Sequence, residues 1–166
     1  PGIVFGTGTH PTTQDCLTAV QLALTRRQVR RVIDLGAGTG LLSLAAIQMG
    51  SNACLDLDLN RLAVETAWRN VILNDMCERI LVVQGDAKNF MDLPCDLMVS
   101  NIHYDVMRHI IAGNGFRAPK QFILSGLLRS QASKVEARLM SGPATILEKW
   151  ERDGIWTTFY GEIVDI

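Results

Sequence analysis

Long apolar runs, paired cysteines and charge of one sign are all missing from this chain, and each absence removes a class of protein. No stretch approaches the ~20 consecutive apolar residues of a membrane-spanning helix, and no secretory leader is visible. A cytoplasmic location with no membrane partner is the expectation. Cysteine is sparse: Cys16, Cys54, Cys77 and Cys95 stand far apart with no C-x-x-C pair, and the histidines do not cluster. Such spacing supports neither a disulfide framework nor a zinc site, so no metal is expected. Three of the four cysteines fall in apolar segments, which reads as buried, reduced thiols. The net charge is −1, too small for a strong grip on nucleic acid by the surface as a whole. Arg26, Arg27, Arg30 and Arg31 in "TRRQVRR" make the one local basic patch, read as a solvated helix end and loop. Internal repeats and low-complexity segments are absent too. The chain opens at Pro1 without a methionine, and a fragment or a processed chain is expected.

What is present is ordinary for a globular protein. The 166 residues are 48% hydrophobic and 20% charged, enough for one domain with a real core. A glycine- and threonine-rich lead-in, "FGTGTHPTT" (5–13), precedes a helical segment whose Cys16, Leu17, Val20 and Leu24 fit one face. Strand-like runs follow at 31–35, 53–58, 80–87, 96–101 and 121–126. Between them lie helical patterns at 39–49, 60–75, 104–113 and 130–140. Gly50 ends one helix and Asn60 is the expected N-cap of the next. Residues 144–164 hold two strand-like runs around Asp153-Gly154, a hairpin signal. Alternating strands and helices imply an α/β fold with a doubly wound, mainly parallel sheet, Rossmann-like and seven-stranded. The hairpin adds one antiparallel strand at an edge.

The most informative stretch is "VIDLGAGTGLLSLAA" (32–46), an apolar strand, a glycine-rich turn and a helix in that order. A dinucleotide fingerprint places glycines at the first, third and sixth positions of the turn. Gly36 and Gly38 fill two of these, but the sixth is Leu41 and the third glycine, Gly40, arrives one residue early. Asp34 precedes the turn, where that fingerprint asks for no acid. Free N–H groups at a helix N-terminus suit a phosphate, a carboxylate or a nucleoside hydroxyl, so the turn alone leaves the cofactor open.

Ligands of a doubly wound sheet lie beyond the carboxyl ends of its strands, and acids recur there. Asp56 stands 20 positions after Gly36, the spacing of a ribose-binding acid, and is assigned to the ribose. Asp58 is assigned to capping the following helix. Asp86 in "QGDA" has two readings: an acceptor for an adenine amine, with the Ala87 N–H on a ring nitrogen, or a turn aspartate. Asn101 ends the fourth strand, where the reactive end of the cofactor belongs. Its amide can hold an amine and leave the amine lone pair aimed elsewhere; a turn asparagine is the alternative.

Together "VIDLGAGTG", Asp56, "GDA" and Asn101 resemble the class I S-adenosylmethionine-dependent methyltransferases. More narrowly, "FGTGTHPTT", "VIDLGAGTGLLSLAA", "LDLD", "SNI", "LSGLLRSQASKV" and "EKW" are similar, in order and spacing, to the ribosomal protein L11 methyltransferase (PrmA) family. The resemblance covers nearly the whole chain and implies S-adenosylmethionine as the cofactor. It also implies methylation of amino groups on a ribosomal or other protein. Residues 1–166 would then form one cofactor-binding domain, with 1–30 as lead-in loop and helix. By resemblance Thr13 touches the methionine part, "FGTGTH" folds over it, and Asp34 orients the ammonium. Gly36 and Gly38 admit close backbone approach, Asp56 binds the ribose and Asn101 lines the transfer site. Two departures stand out. The family's N-terminal recognition domain has no counterpart here. Where the family continues Asn-Ile with small apolar residues, this chain has His103 and Tyr104, which join Asn101 as candidate transfer-site residues. His103 is a candidate base for an amine that must lose its proton, and His10 has a similar standing. Two other classes stay open: a nucleotide-dependent oxidoreductase, disfavoured by Leu41, Asp34 and the hairpin, and a non-catalytic module of the same fold.

Overall fold

The computed structural model describes residues 6–164. Seven strands form one sheet in the order β3-β2-β1-β4-β5-β7-β6. β1 (Arg31–Leu35), β2 (Ala53–Asp58), β3 (Ile80–Gln84), β4 (Cys95–Asn101) and β5 (Pro119–Leu128) run parallel. β7 (Trp156–Ile163) is antiparallel to both β5 and β6 (Ala144–Arg152). The helices are α1 (Pro11–Arg26), α2 (Leu41–Gln48), α3 (Arg61–Leu73), α4 (Tyr104–Ala112) and α5 (Arg129–Met140). The chain winds outward from β1 to β3, returns to β4 and winds the other way, so the order reverses between β1 and β4. A doubly wound sheet opens its ligand crevice at such a switch point.

Period-two alternation sorts the strand residues into two cores. Val32, Leu97, Val99, Ile123 and Tyr160 pack on the face covered by α1 and α2. Ile33, Met98, Phe122, Leu124 and Phe159 pack on the face covered by α4 and α5. β4 is buried through its first six residues, as a central parallel strand covered on both faces must be.

Local chemistry accounts for the boundaries. Pro11 occupies the first turn of α1, where its missing N–H is no loss, and the His10 side chain caps that helix by accepting from the Thr12 N–H. Asn60 caps α3 through the Leu62 N–H at 2.9 Å, as expected from the sequence. The buried face of α1 differs from the expected one. Cys16 and Val20 are buried, but Ala19 and Ala23 complete the face, while Leu17 and Leu24 are only half-buried. The small alanines let the helix lie close against its neighbours. β3 is shorter than expected because the Gly85 N–H bonds back to Asp58 O and Asp86 caps a short 3-10 turn at Ala87–Asn89. Cys16, Cys54 and Cys95 are buried free thiols and Cys77 is exposed. Among the described residues no helix is long and apolar enough to cross a membrane. No group of three or more His, Cys, Asp or Glu is arranged among them to hold a metal ion.

Candidate functional site

The turn between β1 and α2 is built for close backbone approach. Gly36, Gly38 and Gly40 all have positive φ, at 78°, 58° and 76°, a region where a side chain is strained. A Cβ on Gly36 would also run into the side chain of Ile102. The Gly36 and Ala37 N–H groups both donate to Leu57 O, at 2.7 and 3.0 Å, which fastens the turn to β2. The Gly38 N–H donates to Asp58 Oδ2 at 3.0 Å. From the lead-in, Gly6 O accepts from the Thr39 hydroxyl at 2.7 Å, so this loop lies against the glycine turn. Phe5, at the start of the lead-in motif, lies outside the described residues.

Beyond the carboxyl ends of the strands lies a cavity of about 550 Å³. Gly36, Gly38, Asp58, Asp86, Ala87 and Asn101 line it together with His10, Thr12, His103, Gly126 and Trp156. Most of the polar residues singled out from the sequence therefore meet in one place, and four stand elsewhere.

Asp56, assigned to the ribose on spacing, is fully buried one pleat below the cavity. It sits opposite Asp34 in the β1–β2 register. The Ser43 hydroxyl donates to Asp56 Oδ1 and lies 3.4 Å from Asp34 Oδ2, and the Cys54 thiol packs 2.9 Å from the Ser43 oxygen. Asp58, assigned only to a helix cap, is the acid of β2 that reaches the cavity. Asp56 and Asp58 point to the same side of the strand, but α2 covers the first and only the last projects past it. Asp58 also caps, since its Oδ1 accepts from the Asn60 N–H at 2.8 Å. The 20-residue interval from Gly36 to Asp56 equally separates Gly38 from Asp58, and the second pair is the one in contact.

Asp34 is likewise buried below the cavity and does not line it. Burial, then the charge of Asp56, push Asp34 well above the ordinary carboxylate range. Burial also pushes Asp56 up to about 7, against the hydrogen bonds from Ser43 and Cys54. With no cation among the described residues to offset their charges, burial favours the protonated forms of the two carboxyls. Thr13 is buried too, one helical position from Thr12, which takes the place in the lining expected of it.

Asp86 lines the cavity while its Oδ1 accepts from the Lys88 N–H at 3.0 Å, so the turn reading is met and the residue still borders the cavity. Asn101 and His103 line the far end. A Cβ on Gly126 would lie 3.0 Å from Asn101 Oδ1, so that glycine leaves room for the amide. His103 precedes α4 and makes no side-chain cap bond. Tyr104, expected at the transfer site, is instead the first helical residue of α4, with Lys134 Nζ 6.0 Å from its ring centroid. Trp156 was not anticipated. It opens β7, lines the cavity and meets the His10 ring edge-on, with centroids 5.1 Å apart at 73°. Its position directly after the hairpin turn is the signal that pointed there.

The switch-point cavity, the glycine turn and the antiparallel β7 define a Rossmann-like methyltransferase fold. A solved ribosomal protein L11 methylase from Lactobacillus delbrueckii subsp. bulgaricus superposes with a TM-score of 0.81 at 28% identity, covering 99% of this chain and 83% of that one. M. capricolum TrmK, solved with S-adenosyl-homocysteine, shares the fold with a TM-score of 0.71 at 14% identity, covering 89% and 70% of the two chains. The family model described as Ribosomal protein L11 methyltransferase (PrmA) matches residues 1–162, and the chain belongs to that family. Curated relatives of that name include one from Desulfitobacterium hafniense, 38% identical over 156 residues, which cover 93% of this chain and 49% of the relative. Another, from Anoxybacillus flavithermus, is 34% identical over 161 residues, 96% of this chain and 51% of the relative. The chain thus spans about half the length of the curated relatives it matches.

Proposed function

We propose that this chain binds S-adenosylmethionine in the switch-point cavity and transfers its methyl group to an amino group of a ribosomal protein, L11 by the name its relatives carry. The observation that supports this best is the meeting of Asp58, Asp86 and Asn101 around the glycine turn of one cavity, in a chain of this family. The residues fit the cofactor. Each Asp58 oxygen spends one lone pair on a backbone N–H and keeps another for a ribose hydroxyl. Asp86 Oδ2 and the Ala87 backbone face an adenine edge. The positive-φ glycines leave room for the methionine part. Bound there, S-adenosylmethionine supplies a methyl group already activated by its sulfonium charge.

The chain's own task is then alignment and exclusion of water. Asn101 Oδ1 accepts an N–H of the neutral acceptor amine and turns its lone pair toward the methyl carbon. Held by the glycine turn, Asp58 and Asp86, the cofactor would supply both the methyl group for this nitrogen and the sulfur leaving group. The nitrogen gains a positive charge and afterwards releases a proton to solvent. Trp156 and His10 wall that end of the cavity against water. Residues 1–166 act as the cofactor-binding catalytic unit of this reading.

Calorimetric titration with S-adenosylmethionine, followed by transfer of a labelled methyl group to purified L11, tests the reading. Saturable binding is expected. Asn101→Ala should lower turnover more than cofactor affinity, because the alignment acts in the transition state. Absence of binding, or an Asn101→Ala variant with unchanged turnover, overturns the assignment.

A further inference from the structure

The wall formed by Trp156 and His10 is built from two pieces of chain that are remote in sequence. His10 caps α1, and Trp156 opens β7 after an exposed hairpin turn in which Asp153 and Gly154 both take positive φ, at 54° and 65°. A hairpin tip of this kind is ordinarily a mobile end of a sheet. Here it is fastened. Arg152, the cross-strand partner of Trp156, reaches back to α1 and donates from Nε and Nη2 to Asp15 Oδ1, at 2.8 and 2.7 Å. Asp15 is fully buried, and its Oδ2 has no hydrogen-bond partner among the described residues. A second tie, from the Arg129 N–H to Ile155 O at 3.1 Å, fixes the other side of the turn to the start of α5.

Two contacts therefore run between the same two elements, His10 to Trp156 and Asp15 to Arg152. Asp15 lies five residues after His10, and Arg152 lies directly across the strand pair from Trp156. Swinging the tip outward would strand a buried carboxylate without the one cation that pairs with it among the described residues, which is strongly unfavourable. The open position is thus penalised before any ligand arrives.

We propose that the Asp15–Arg152 ion pair is a positioning device for the transfer end of the cavity, holding the Trp156–His10 wall in place before an acceptor enters. The proposal rests on reading that end of the cavity as the acceptor side. Neither Asp15 nor Arg152 lines the cavity, so both act through Trp156 and His10 and leave the cofactor end untouched.

The test uses the full 166-residue chain labelled with 5-fluorotryptophan, the Trp156 signal being assigned with Trp156→Phe. Three variants are compared: Arg152→Met, Arg152→Lys, and the neutral pair Asp15→Asn/Arg152→Gln, which breaks the ion pair without leaving a bare buried charge. In Arg152→Met and in the neutral pair the Trp156 fluorine resonance should shift or broaden in the cofactor-free protein, and Arg152→Lys should largely restore it. Turnover with L11 should fall roughly tenfold or more, as small misplacements of reacting groups do. The S-adenosylmethionine dissociation constant should stay within about twofold, since the cofactor contacts are unchanged. An unaltered Trp156 resonance in the folded neutral pair, or equal losses of cofactor affinity and turnover, overturns the proposal and leaves the ion pair a stabilising contact alone. A resonance that moves as expected in a protein that methylates no amine keeps the positioning role and rejects the acceptor reading instead.

Discussion

Asp96 and the Asp34–Asp56 pair are buried acids at opposite ends of the same parallel strands, and their surroundings drive them in opposite directions. At the amino end, Asp96 Oδ2 accepts from the Arg30 and Arg31 N–H groups at 2.9 and 3.0 Å, and Lys120 Nζ meets Oδ1 at 2.8 Å. Burial alone would raise Asp96. The Lys120 ammonium and the two amides outweigh it and hold the carboxyl below its ordinary value. At the carboxyl end, Asp34 and Asp56 share the Ser43 hydroxyl and Asp56 also accepts from the Cys54 thiol, with no cation beside them among the described residues, and burial wins. Asp96 is the shallower acid and has the donors to offset its burial, while the deeper pair lacks them; the balance of the two sets the direction. Asp96 staples the start of β1 to β4 as a charged acceptor. The Asp34–Asp56 pair, pushed toward its protonated forms, lies buried beneath the cavity.

The largest change should come from Asp96→Ala. It removes two charge-assisted hydrogen bonds to part-buried backbone N–H groups together with an exposed ion pair, for a loss of about 3 kcal/mol, read as a lower urea midpoint at unchanged slope. Next in size is Asp58→Ala, which removes charge-assisted hydrogen bonds worth ~1.5–3 kcal/mol and should weaken S-adenosylmethionine roughly tenfold or more. Asp56→Asn is its control. Calorimetry should find its affinity nearly unchanged, and equal losses in the two variants would erase the distinction between the acids of β2.

The two regions also predict opposite pH dependences of stability. Asp96, with its folded value lowered, contributes stability above its unfolded pKa that is lost as pH falls through the folded value. The Asp34–Asp56 pair, with folded values raised, contributes stability that is complete below an unfolded pKa of about 3.9. That contribution is lost as pH rises toward about 7, the value to which Asp56 is pushed. Through that window the pair should give a slope on the order of 1 kcal/mol per pH unit. Urea midpoints measured between pH 4 and 7 should flatten in the double variant Asp34→Asn/Asp56→Asn, since burial alone keeps Asp34 raised when only Asp56 is replaced. An unchanged slope would mean that the pair carries no proton. The smallest effect belongs to Lys120→Ala. Its side chain is 69% exposed and Asp96 keeps both amides, so the loss should stay under about 1 kcal/mol.

The order of elements could be read from the sequence almost residue by residue. β1 and β2 coincide with the strand-like runs at 31–35 and 53–58, and the Asp153-Gly154 turn joins β6 to β7 where a hairpin was expected. Such patterns are local, set by side-chain period, caps and turn chemistry over a few residues, so one chain displays them without its fold. The glycine turn and the strand-end acids pointed to the correct end of the sheet for the same reason.

What the one-dimensional pattern cannot express is depth. Asp56 and Asp58 have the same type, face and strand, and both stand 20 residues after a glycine of the turn. Only the reach of α2 over β2 separates a buried acid from one that lines the cavity. Thr12 and Thr13 are divided likewise by the rotation of α1 against the sheet, and Tyr104 is drawn from the site because α4 begins on it. The pairing of Asp15 with Arg152, 137 positions apart, and of His10 with Trp156 arises where α1 meets the hairpin. The sequence by itself determined the kind of fold, the family and the end of the sheet that carries the site, because those rest on local periodicity and motif spacing. The tertiary structure alone decided which carboxylate lines the cavity and which residues wall it beside Asn101, because both depend on how far one packed element covers another.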